Sequence, residues 1–271
     1  MICIADNHFC NLNKTLYKIH PKTLFVGQKL IYLPSCQSTN DEAARFIATG
    51  EAVAGLFVVT DRQTAGRGQR GTIWQAEAGQ NLTTSLVLAP SFLAPAEQFW
   101  LNIAVSLGVT DALAALLPAD APLRIKWPND IFLDDRKLGG ILIENTVQGS
   151  RIVWSVVGMG LNVNQTEFEY PTATSLQSCA PLPDGYDLPG LLAGLAERIE
   201  ARYLQLRANH RTGLQTDYLS RLFRYHEEHW FSADNQRFRG IITGVDEAGR
   251  LQVLANGRVQ EFGFKEIVFE M

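Results

Sequence analysis

Short apolar runs, separated by polar and glycine-rich segments, dominate the first third of the chain. Three of these runs have the length and the β-branched content of buried strands, at 30–35, 55–60 and 81–88. Between the first two lies a segment in which Ser38 or Thr39 can cap a helix that Gly50 ends. Residues 1–30 are short mixed segments, for which we expect an N-terminal strand.

Two longer apolar patterns predict helices. Residues 96–117 are apolar on nearly every side and stop before Pro118, which predicts a buried helix. Residues 187–209 are apolar along one stripe, which predicts an amphipathic helix, and a shorter helix follows to about Phe223.

The chain between these helices is rich in strand-forming residues and turns. It predicts a strand, a break at Pro128, a hairpin turn at Asp134 and Asp135, and a second strand that runs to Glu144. Residues 150–165 predict another strand that ends in a Gly-Asn loop. The middle of the chain is therefore expected to be mostly sheet.

The pattern changes near Tyr225. Short β-rich runs follow, divided by Asp-Glu-Ala-Gly and Ala-Asn-Gly turns, which are typical of a small all-β barrel of SH3-like size. We therefore predict two domains, a larger one over 1–224 and a small barrel over 225–271.

The composition argues against several classes of function. The chain has 271 residues, 46% hydrophobic and 19% charged, with a formal net charge of -4. It has no basic run of the kind that nucleic-acid binders carry, so we expect no nucleic-acid partner. Its four cysteines show neither a C-x-x-C pair nor metal-ligand spacing. No signal peptide or run of about 18 apolar residues is visible, so we expect a cytoplasmic protein without a membrane partner.

A literal G-x-G-x-x-G, formed by Gly66, Gly68 and Gly71, raises the question of a dinucleotide site. Such a site needs a helix that opens at the glycines and an acidic residue about 20 positions further on. Neither is present. Two arginines, Arg67 and Arg70, lie inside the loop, and they suit a mobile flap that closes on an anion.

Five polar segments interrupt the β-rich middle, each where a predicted strand ends. They are STN (38–40), RQTAGRGQRGTIW (62–74), KWPND (126–130), DRKLGGIL (135–142) and GMGLNVN (158–164). In type, order and spacing these segments resemble the biotin–protein ligases, and the resemblance runs from about residue 30 to the C-terminus. It implies an α+β fold, with a catalytic domain like that of class II aminoacyl-tRNA synthetases and a C-terminal SH3-like β barrel.

The resemblance also implies a two-step reaction. The biotin carboxylate first joins the α-phosphate of ATP with release of pyrophosphate, and the resulting biotinyl-adenylate then transfers its acyl group to a lysine. The implied acceptor is a biotin carboxyl carrier domain of a biotin-dependent carboxylase, and the implied ligands are biotin, ATP and Mg²⁺. No metal site formed by the protein alone is predicted. Family members include monomers and dimers, so a homodimer is compatible with the resemblance.

Three residues are predicted to be catalytic: Lys137, Arg67 and Asp130. Bringing two anions together requires a cation at the reacting centre, and Lys137 matches the lysine of the family's K-L-[AG]-G-I-L element. Taken alone, that segment also fits a surface lysine in a hairpin. Asp130 is expected either to hold a metal or to receive a proton from the attacking amine, and the sequence does not separate the two roles.

The resemblance assigns biotin to a set of polar and glycine positions: Ser38, Thr39, Asn40, Gln63, Gly66, Arg67, Gly68, Gln69, Lys137, Gly139 and Gly140. Hydroxyl and amide groups there are expected to bond the ureido ring, and Leu142 adds to the apolar wall. A plain helix cap at 38–40 and a strand bulge at the Gly pair are the structural alternatives. Gln69 stands where one common form of the family has an arginine, which removes a positive charge from the loop.

The nucleotide is assigned to a second set: Arg70, Trp74, Lys126, Asn129, Asp130 and Asn162. Trp74 resembles a tryptophan that stacks near adenine, and a lid or core aromatic is the alternative.

Three other functions are alternatives. A lipoate– or octanoate–protein ligase shares the lysine and the loop, but G-R-G-x-R-G with K-W-P-N-D fits biotin ligases better. A biotin-sensing transcription factor would need a winged helix before the first site segment, and residues 1–30 show no helix-turn-helix pattern, so we expect a monofunctional ligase. The C-terminal unit is expected to pack on the catalytic domain and to help hold the nucleotide or the carrier-domain acceptor, and not to act as an independent binding module.

Overall fold

A computed structural model describes residues 17–270, and of Arg70 only the backbone. A seven-stranded sheet forms its centre, in the order β1-β2-β3-β7-β6-β5-β4, with β1 and β2 parallel and the other neighbours antiparallel. Its strands are β1 (Leu30–Cys36), β2 (Phe57–Gln63), β3 (Leu82–Leu88), β4 (Leu123–Lys126), β5 (Asp130–Leu133), β6 (Arg136–Gln148) and β7 (Arg151–Leu161). The predicted strands, the break at Pro128 and the turn before Arg136 are confirmed.

Five α-helices accompany the described part of this sheet: α1 (Thr39–Ala48), α2 (Gln98–Ala114), α3 (Leu176–Cys179), α4 (Leu188–Arg207) and α5 (Arg211–Ser220). Helix α2 is buried on almost every side because it packs against α4, α5 and β4. A Cβ at Gly108 would lie 2.6 Å from the Ile199 backbone, so this glycine sets the close approach of α2 and α4. None of the described helices is both long and apolar enough to cross a membrane.

The sheet separates two hydrophobic clusters. Residues of β2 alternate between them, because successive side chains of a strand point to opposite faces. Phe57 and Val59 belong to the main core with α2 and α4, whereas Val58 belongs to a smaller cluster with Ala43 and Phe46 of α1. Helix α1 therefore lies on the opposite face of the sheet from the other long helices.

Residues 17–29 form turns and irregular chain, so the expected N-terminal strand is absent from them, and residues 1–16 lie outside the described part. This segment is fastened to α4 by the buried carboxylate of Glu200. Its two oxygens accept the backbone N–H groups of Leu24, Phe25 and Val26 at 2.6, 2.8 and 3.0 Å. A buried carboxylate is tolerated here because backbone donors satisfy it.

A second, five-stranded antiparallel sheet follows, in the order β11-β10-β9-β8-β12. Its strands are β8 (Glu228–Ala233), β9 (Gln236–Val245), β10 (Leu251–Ala255), β11 (Arg258–Phe262) and β12 (Val268–Phe269). It packs on the larger sheet at the turn after β4, where the Trp127 indole donates to the Gly249 carbonyl at 2.9 Å. The mixed α+β fold is confirmed, and the domain division at residues 224/225 stays a prediction.

Candidate active site

All five polar segments meet around one cavity of about 510 Å³. Its predicted site residues are Ser38, Thr39, Asn40, Gln63, Arg67, Gly68, Gln69, Trp74, Lys126, Asn129, Asp130, Lys137 and Gly140, with Leu142 beside them. The C-terminal sheet completes the wall with Phe264, Lys265, Ile267, Val268 and Phe269, which the sequence did not single out. The cavity lies where several elements end or pass by, so the topology brings distant segments together. These elements are β2, β4, β6, β7 and the start of α1.

Ser38 is the residue before α1, and it is buried. Its hydroxyl makes no capping hydrogen bond to the helix, which removes the main argument for a plain cap. Helix α1 instead begins with Asp41 and Glu42 in its first turn, where carboxylates stabilise the N-terminal dipole. The Ser38 hydroxyl is thus left in the wall of the cavity.

Thr39 fixes the orientation of Gln63. The Gln63 side-chain oxygen accepts the Thr39 backbone N–H at 2.8 Å and lies 3.2 Å from the Thr39 hydroxyl. The amide nitrogen of Gln63 therefore points the other way, toward Gly66, where a Cβ would come within 2.8 Å of it. This nitrogen presents N–H donors beside the glycine loop. Gly66 itself does not line the cavity but leaves room for that amide.

Asn40 is held entirely by the protein. Its amide nitrogen donates to Glu144 at 2.6 Å, and its oxygen accepts from Ser85 at the same distance. A Cβ at Gly158 would lie 2.4 Å from the Asn40 oxygen, so Gly158 gives this side chain its space. Asn40 is therefore placed to fix the start of α1, and both of its polar atoms have protein partners.

Arg67 fastens the glycine loop to the rest of the site. Its guanidinium lies 2.7 Å from Asp41 of α1 and 3.3 Å from Glu144 of β6. The positive charge of Arg67 was predicted to bind an incoming anion. In the structure, the carboxylates of Asp41 and Glu144 balance that charge. Glu144 was missed as a site residue, although it lies two and four positions beyond Leu142 and Gly140 on the same face of β6.

Trp74 lies flat against the chain at Gly160. A Cβ at Gly160 would lie 2.3 Å from the indole ring, so only glycine leaves room for it. Among the described residues, the Trp74 indole nitrogen and the Gln69 side-chain oxygen are both buried without a hydrogen-bond partner. An unpaired buried polar atom costs roughly 1–3 kcal/mol, so the contacts within the protein leave both of these groups unsatisfied.

Lys137 and Asp130 form an ion pair inside the cavity, with Nζ and Oδ1 2.7 Å apart. The Lys137 backbone is held by the segment at 172–174, with its N–H 2.7 Å from the Thr172 oxygen and its oxygen 2.9 Å from the Thr174 nitrogen. A Cβ at Gly140 would lie 3.2 Å from the Asp130 oxygen and 3.4 Å from the lysine nitrogen. The missing side chain at Gly140 thus leaves open space against the ion pair.

Lys126 lies deeper, between two aromatic rings. Its ammonium is 4.7 Å from the Phe132 ring centre and 5.2 Å from that of Phe269. Burial lowers the pKa of Lys126, and Asp130 acts in the opposite direction. Three lysines thus line the cavity, Lys126, Lys137 and Lys265, and Asp130 is the one acidic lining residue in the described chain.

Several predicted residues have structural contacts instead of cavity contacts. Asn162 is buried, and its amide nitrogen donates to the Thr174 backbone oxygen at 3.0 Å. A Cβ at Gly139 would lie 2.6 Å from the Gly160 backbone oxygen, so this position is packed against β7. Asn129 lines the cavity, but its amide nitrogen donates to the Ile141 backbone. Gly139 and Asn162 thus lie behind the wall. The side chain of Arg70 is outside the described part, so its nucleotide contact stays a prediction.

Residues 32–162 match the Biotin/lipoate A/B protein ligase family. The biotin–[acetyl-CoA-carboxylase] ligase of Mycobacterium tuberculosis is 32% identical over 82% of this chain and 81% of its own length. The corresponding ligase of Paracoccus denitrificans is also 32% identical, over 81% of this chain and 91% of its own. This chain belongs to the biotin–protein ligases.

Solved structures of this family agree with the fold. The biotin protein ligase from Aquifex aeolicus, in complex with biotin and ATP, superposes with a TM-score of 0.75. The superposition covers 90% of this chain and 99% of the Aquifex aeolicus chain, at 24% sequence identity. Its likeness supports the α+β architecture and the C-terminal sheet of this biotin–protein ligase. The G-x-G-x-x-G at 66–71 contains a short 3-10 turn over Gln69–Gly71, so the glycines do not open the helix that a dinucleotide site needs.

Proposed function

We propose that this protein is an ATP-dependent biotin–protein ligase that forms biotinyl-5′-AMP and transfers biotin to a lysine of a biotin carboxyl carrier domain. The observation that carries the proposal is the meeting of all five segments around one cavity, with the Lys137–Asp130 pair inside it. Relatives that share this chain's length are named biotin–[acetyl-CoA-carboxylase] ligases. The cytoplasmic location and the homodimer stay predictions.

Biotin binds at the α1 end of the cavity in this proposal. A ureido carbonyl needs hydrogen-bond donors, which the Ser38 hydroxyl and the Gln63 amide nitrogen supply. The Thr39 hydroxyl supports them, because it donates to Gln63 and accepts from Ser85. Strand β6 has no side chain at Gly140, which leaves space for a ring system, and the side chain of Leu142 supplies an apolar wall. Asn40 supports this end without touching the ligand, because its polar atoms are already bonded to Ser85 and Glu144.

Lys137 acts at the reacting centre. A carboxylate oxygen of biotin attacks the α-phosphorus of ATP, and the bond from that phosphorus to the bridging oxygen of the pyrophosphate breaks. Lys137 lowers the repulsion between the carboxylate and the phosphate and stabilises charge as it develops on the phosphate oxygens. Its ammonium leaves Asp130 for these oxygens, which lie in the open space beside Gly140.

The nucleotide occupies the remainder of the cavity. Its phosphates lie toward Lys126, and the adenine lies against Trp74, whose unpaired indole N–H is then near a polar ligand. Phe264, Ile267 and Phe269 of the C-terminal sheet close this side.

Mg²⁺ fits this donor set as a companion of the phosphates. Magnesium in such sites is held by one or two carboxylates together with phosphate oxygens, and Asp130 is the carboxylate that the cavity offers. No group of three or more His, Cys, Asp or Glu that could hold a metal occurs in residues 17–270. When bound, the ion neutralises phosphate charge.

The transfer step uses the same cavity. The amine of the target lysine attacks the acyl carbon of the adenylate, and the bond from that carbon to the phosphate oxygen breaks, which releases AMP. After pyrophosphate has left, the Asp130 carboxylate accepts the proton that the amine loses. The closed glycine loop keeps water from the acyl-phosphate until the acceptor arrives.

Exchange of labelled pyrophosphate into ATP tests the first step. The purified protein is incubated with biotin, lipoate, octanoate or no acid. Exchange with biotin alone is expected. Exchange with lipoate or octanoate would move the protein to the sister branch, and no exchange with any acid would refute the ligase proposal.

Replacing Arg67 by alanine is expected to speed the escape of the adenylate. The substitution removes the contacts to Asp41 and Glu144 that hold the loop. Exposed ion pairs contribute roughly 0.2–1 kcal/mol each, so losing two corresponds to a several-fold faster release. Release of radiolabelled adenylate from the pre-loaded enzyme measures this, with Arg45→Ala on α1 as the control. An unchanged release rate would show that the two ion pairs do not hold the loop over the site.

A further inference from the structure

The outer face of the C-terminal sheet carries an exposed aromatic and cationic patch. Trp230 on β8 is 38% exposed, and the guanidinium groups of Arg237 and Arg239 on β9 lie 4.4 and 4.9 Å from its ring centre. We call Trp230, Arg237, Arg239 and the neighbouring Val268 the Trp230 face. Arg239 is the direct cross-strand partner of Trp230, and Arg237 is its diagonal neighbour.

Packing of the barrel does not explain this face. Side chains alternate along a strand, and the neighbouring Phe231 is fully buried in the core on the inner side. Trp230 points away from that core. Arg239 also pairs with Glu228 at 3.1 Å, whereas Arg237 has no carboxylate partner among the described residues. The two guanidinium groups are held near the indole, and Arg237 keeps its N–H groups available to another molecule.

The Trp230 face continues to the mouth of the cavity. Strand β12 pairs with β8, so that Val268 lies opposite Ser232, and the Glu270 N–H donates to the Trp230 oxygen at 3.1 Å. Val268 is 56% exposed and also lines the cavity, and Phe269 lines it from the inner side of the same strand. One short strand thus forms both a wall of the active site and an edge of the exposed patch.

A protein acceptor needs such a surface. Only its lysine side chain enters the cavity, whereas specific protein interfaces bury about 800 Å² on each partner. The remaining contact must surround the cavity mouth. Tryptophan and arginine are the residues that most often dominate interface energies, and a guanidinium on an aromatic ring presents its N–H edge to a carboxylate.

We propose that the Trp230 face docks the acceptor domain by binding carboxylates that flank its target lysine. This inference rests on the proposed ligase function. The chain as a whole has a net charge of -4, so a cationic surface is a local exception on it. Beside this face, Arg224 joins Arg237 and Arg239 around a hollow that also holds Glu228 and Glu270, so cations outnumber carboxylates and can orient carboxylates of a partner.

The test compares Arg237→Glu with Arg258→Glu in the full-length protein. Both arginines are exposed on the C-terminal sheet, but Arg258 is on β11, at the opposite edge from β12. Three rates are measured with biotin and ATP: pyrophosphate exchange, trapping of the adenylate by hydroxylamine, and biotin transfer to a purified biotin carboxyl carrier domain. Hydroxylamine is a small nucleophile that needs no docking surface.

Arg237→Glu is expected to lower kcat/KM for the carrier domain about tenfold, mainly through KM, while exchange and hydroxylamine trapping stay within about twofold of wild type. Arg258→Glu should change none of the three rates. Trp230→Ala should reproduce the selective loss without a change of charge. Unchanged transfer in both Trp230-face variants would overturn the proposal, and so would a parallel loss of exchange, since that would place the face in nucleotide binding. Failure of the ligase function itself is distinguishable, because the wild type would then show no exchange with biotin.

Discussion

The Lys137→Ala protein is expected to lose pyrophosphate exchange by about a hundredfold to a thousandfold, the cost typical of removing one group that stabilises transition-state charge. Lys137 is the cation placed beside the open space at Gly140. Without it, a carboxylate and a phosphate must approach each other next to the Asp130 carboxylate, which is then left without its partner at 2.7 Å. The defect should appear in the rate of the chemical step.

The variant should still fold. The side chains of Lys137 and Asp130 are 37% and 27% exposed, so the pair is partly solvated and contributes little to the free energy of unfolding. Thermal unfolding should therefore be close to wild type. Lys29→Ala is the matched control, since Lys29 bonds the Glu51 backbone at the surface away from the cavity. Exchange at the wild-type rate in Lys137→Ala would show that the central assignment is wrong.

The sequence predicted the elements of the catalytic half well because local patterns determine them. Strand β3 is buried on both faces and reads as a run of Leu, Val and Thr, which favour strands, and α2 is apolar all round because helices and sheet surround it. The five polar segments were also found. Each stands at the end or the inner part of a strand, where it interrupts a hydrophobic pattern.

The contacts between segments could not be predicted, since they join residues far apart in the chain. Asn40 and Glu144 are 104 positions apart, and Arg67 and Glu144 are 77 apart. The alternation along β6 places Glu144 on the same face as Gly140 and Leu142, but it does not show that Asn40 and Arg67 meet it there. The contribution of 264–269 likewise depends on how the C-terminal sheet packs at Trp127, which a local pattern does not determine.

The asparagine side chains were predicted to contact a ligand, and the structure gives them contacts within the protein. Asn40, Asn129 and Asn162 all lie in segments that mark the site, yet each donates a hydrogen bond to another part of the protein. A side-chain amide serves equally well to bind a ligand or to satisfy a backbone carbonyl, and the sequence does not distinguish these uses. The Ser38 hydroxyl makes no capping bond to α1, so we assign contact with the ligand to that group.

The Gly158→Ala protein is expected to bind biotin about a hundredfold more weakly. The new Cβ would lie 2.4 Å from the Asn40 oxygen, a distance that no real contact allows. Strand β7 cannot withdraw, because it is paired with β3 on one side and β6 on the other. Asn40 must move instead and shift the start of α1 with Ser38 and Thr39, and losing two hydrogen bonds to biotin at roughly 1.5 kcal/mol each corresponds to about a hundredfold.

Titration calorimetry with biotin measures this loss, and Gly213→Ala is the matched control. Gly213 lies in α5 with no atom within 4 Å of a new Cβ, and its substitution by alanine should leave binding unchanged. Wild-type affinity in Gly158→Ala would mean that the position of α1 does not control biotin binding.

Adding Asn40→Ala to Gly158→Ala separates positioning from direct contact. The double variant has no Asn40 oxygen to collide with, so α1 can return to its place, and Ser85 and Glu144 keep their bonds to Thr39 and Arg67. If Asn40 only positions the helix, the double variant should recover most of the affinity that Gly158→Ala loses. If Asn40 bonds biotin directly, the double variant should bind no better than Asn40→Ala alone, and that single variant should already be weak. A strong non-additive recovery is the expected result, because both polar atoms of Asn40 are already bonded within the protein.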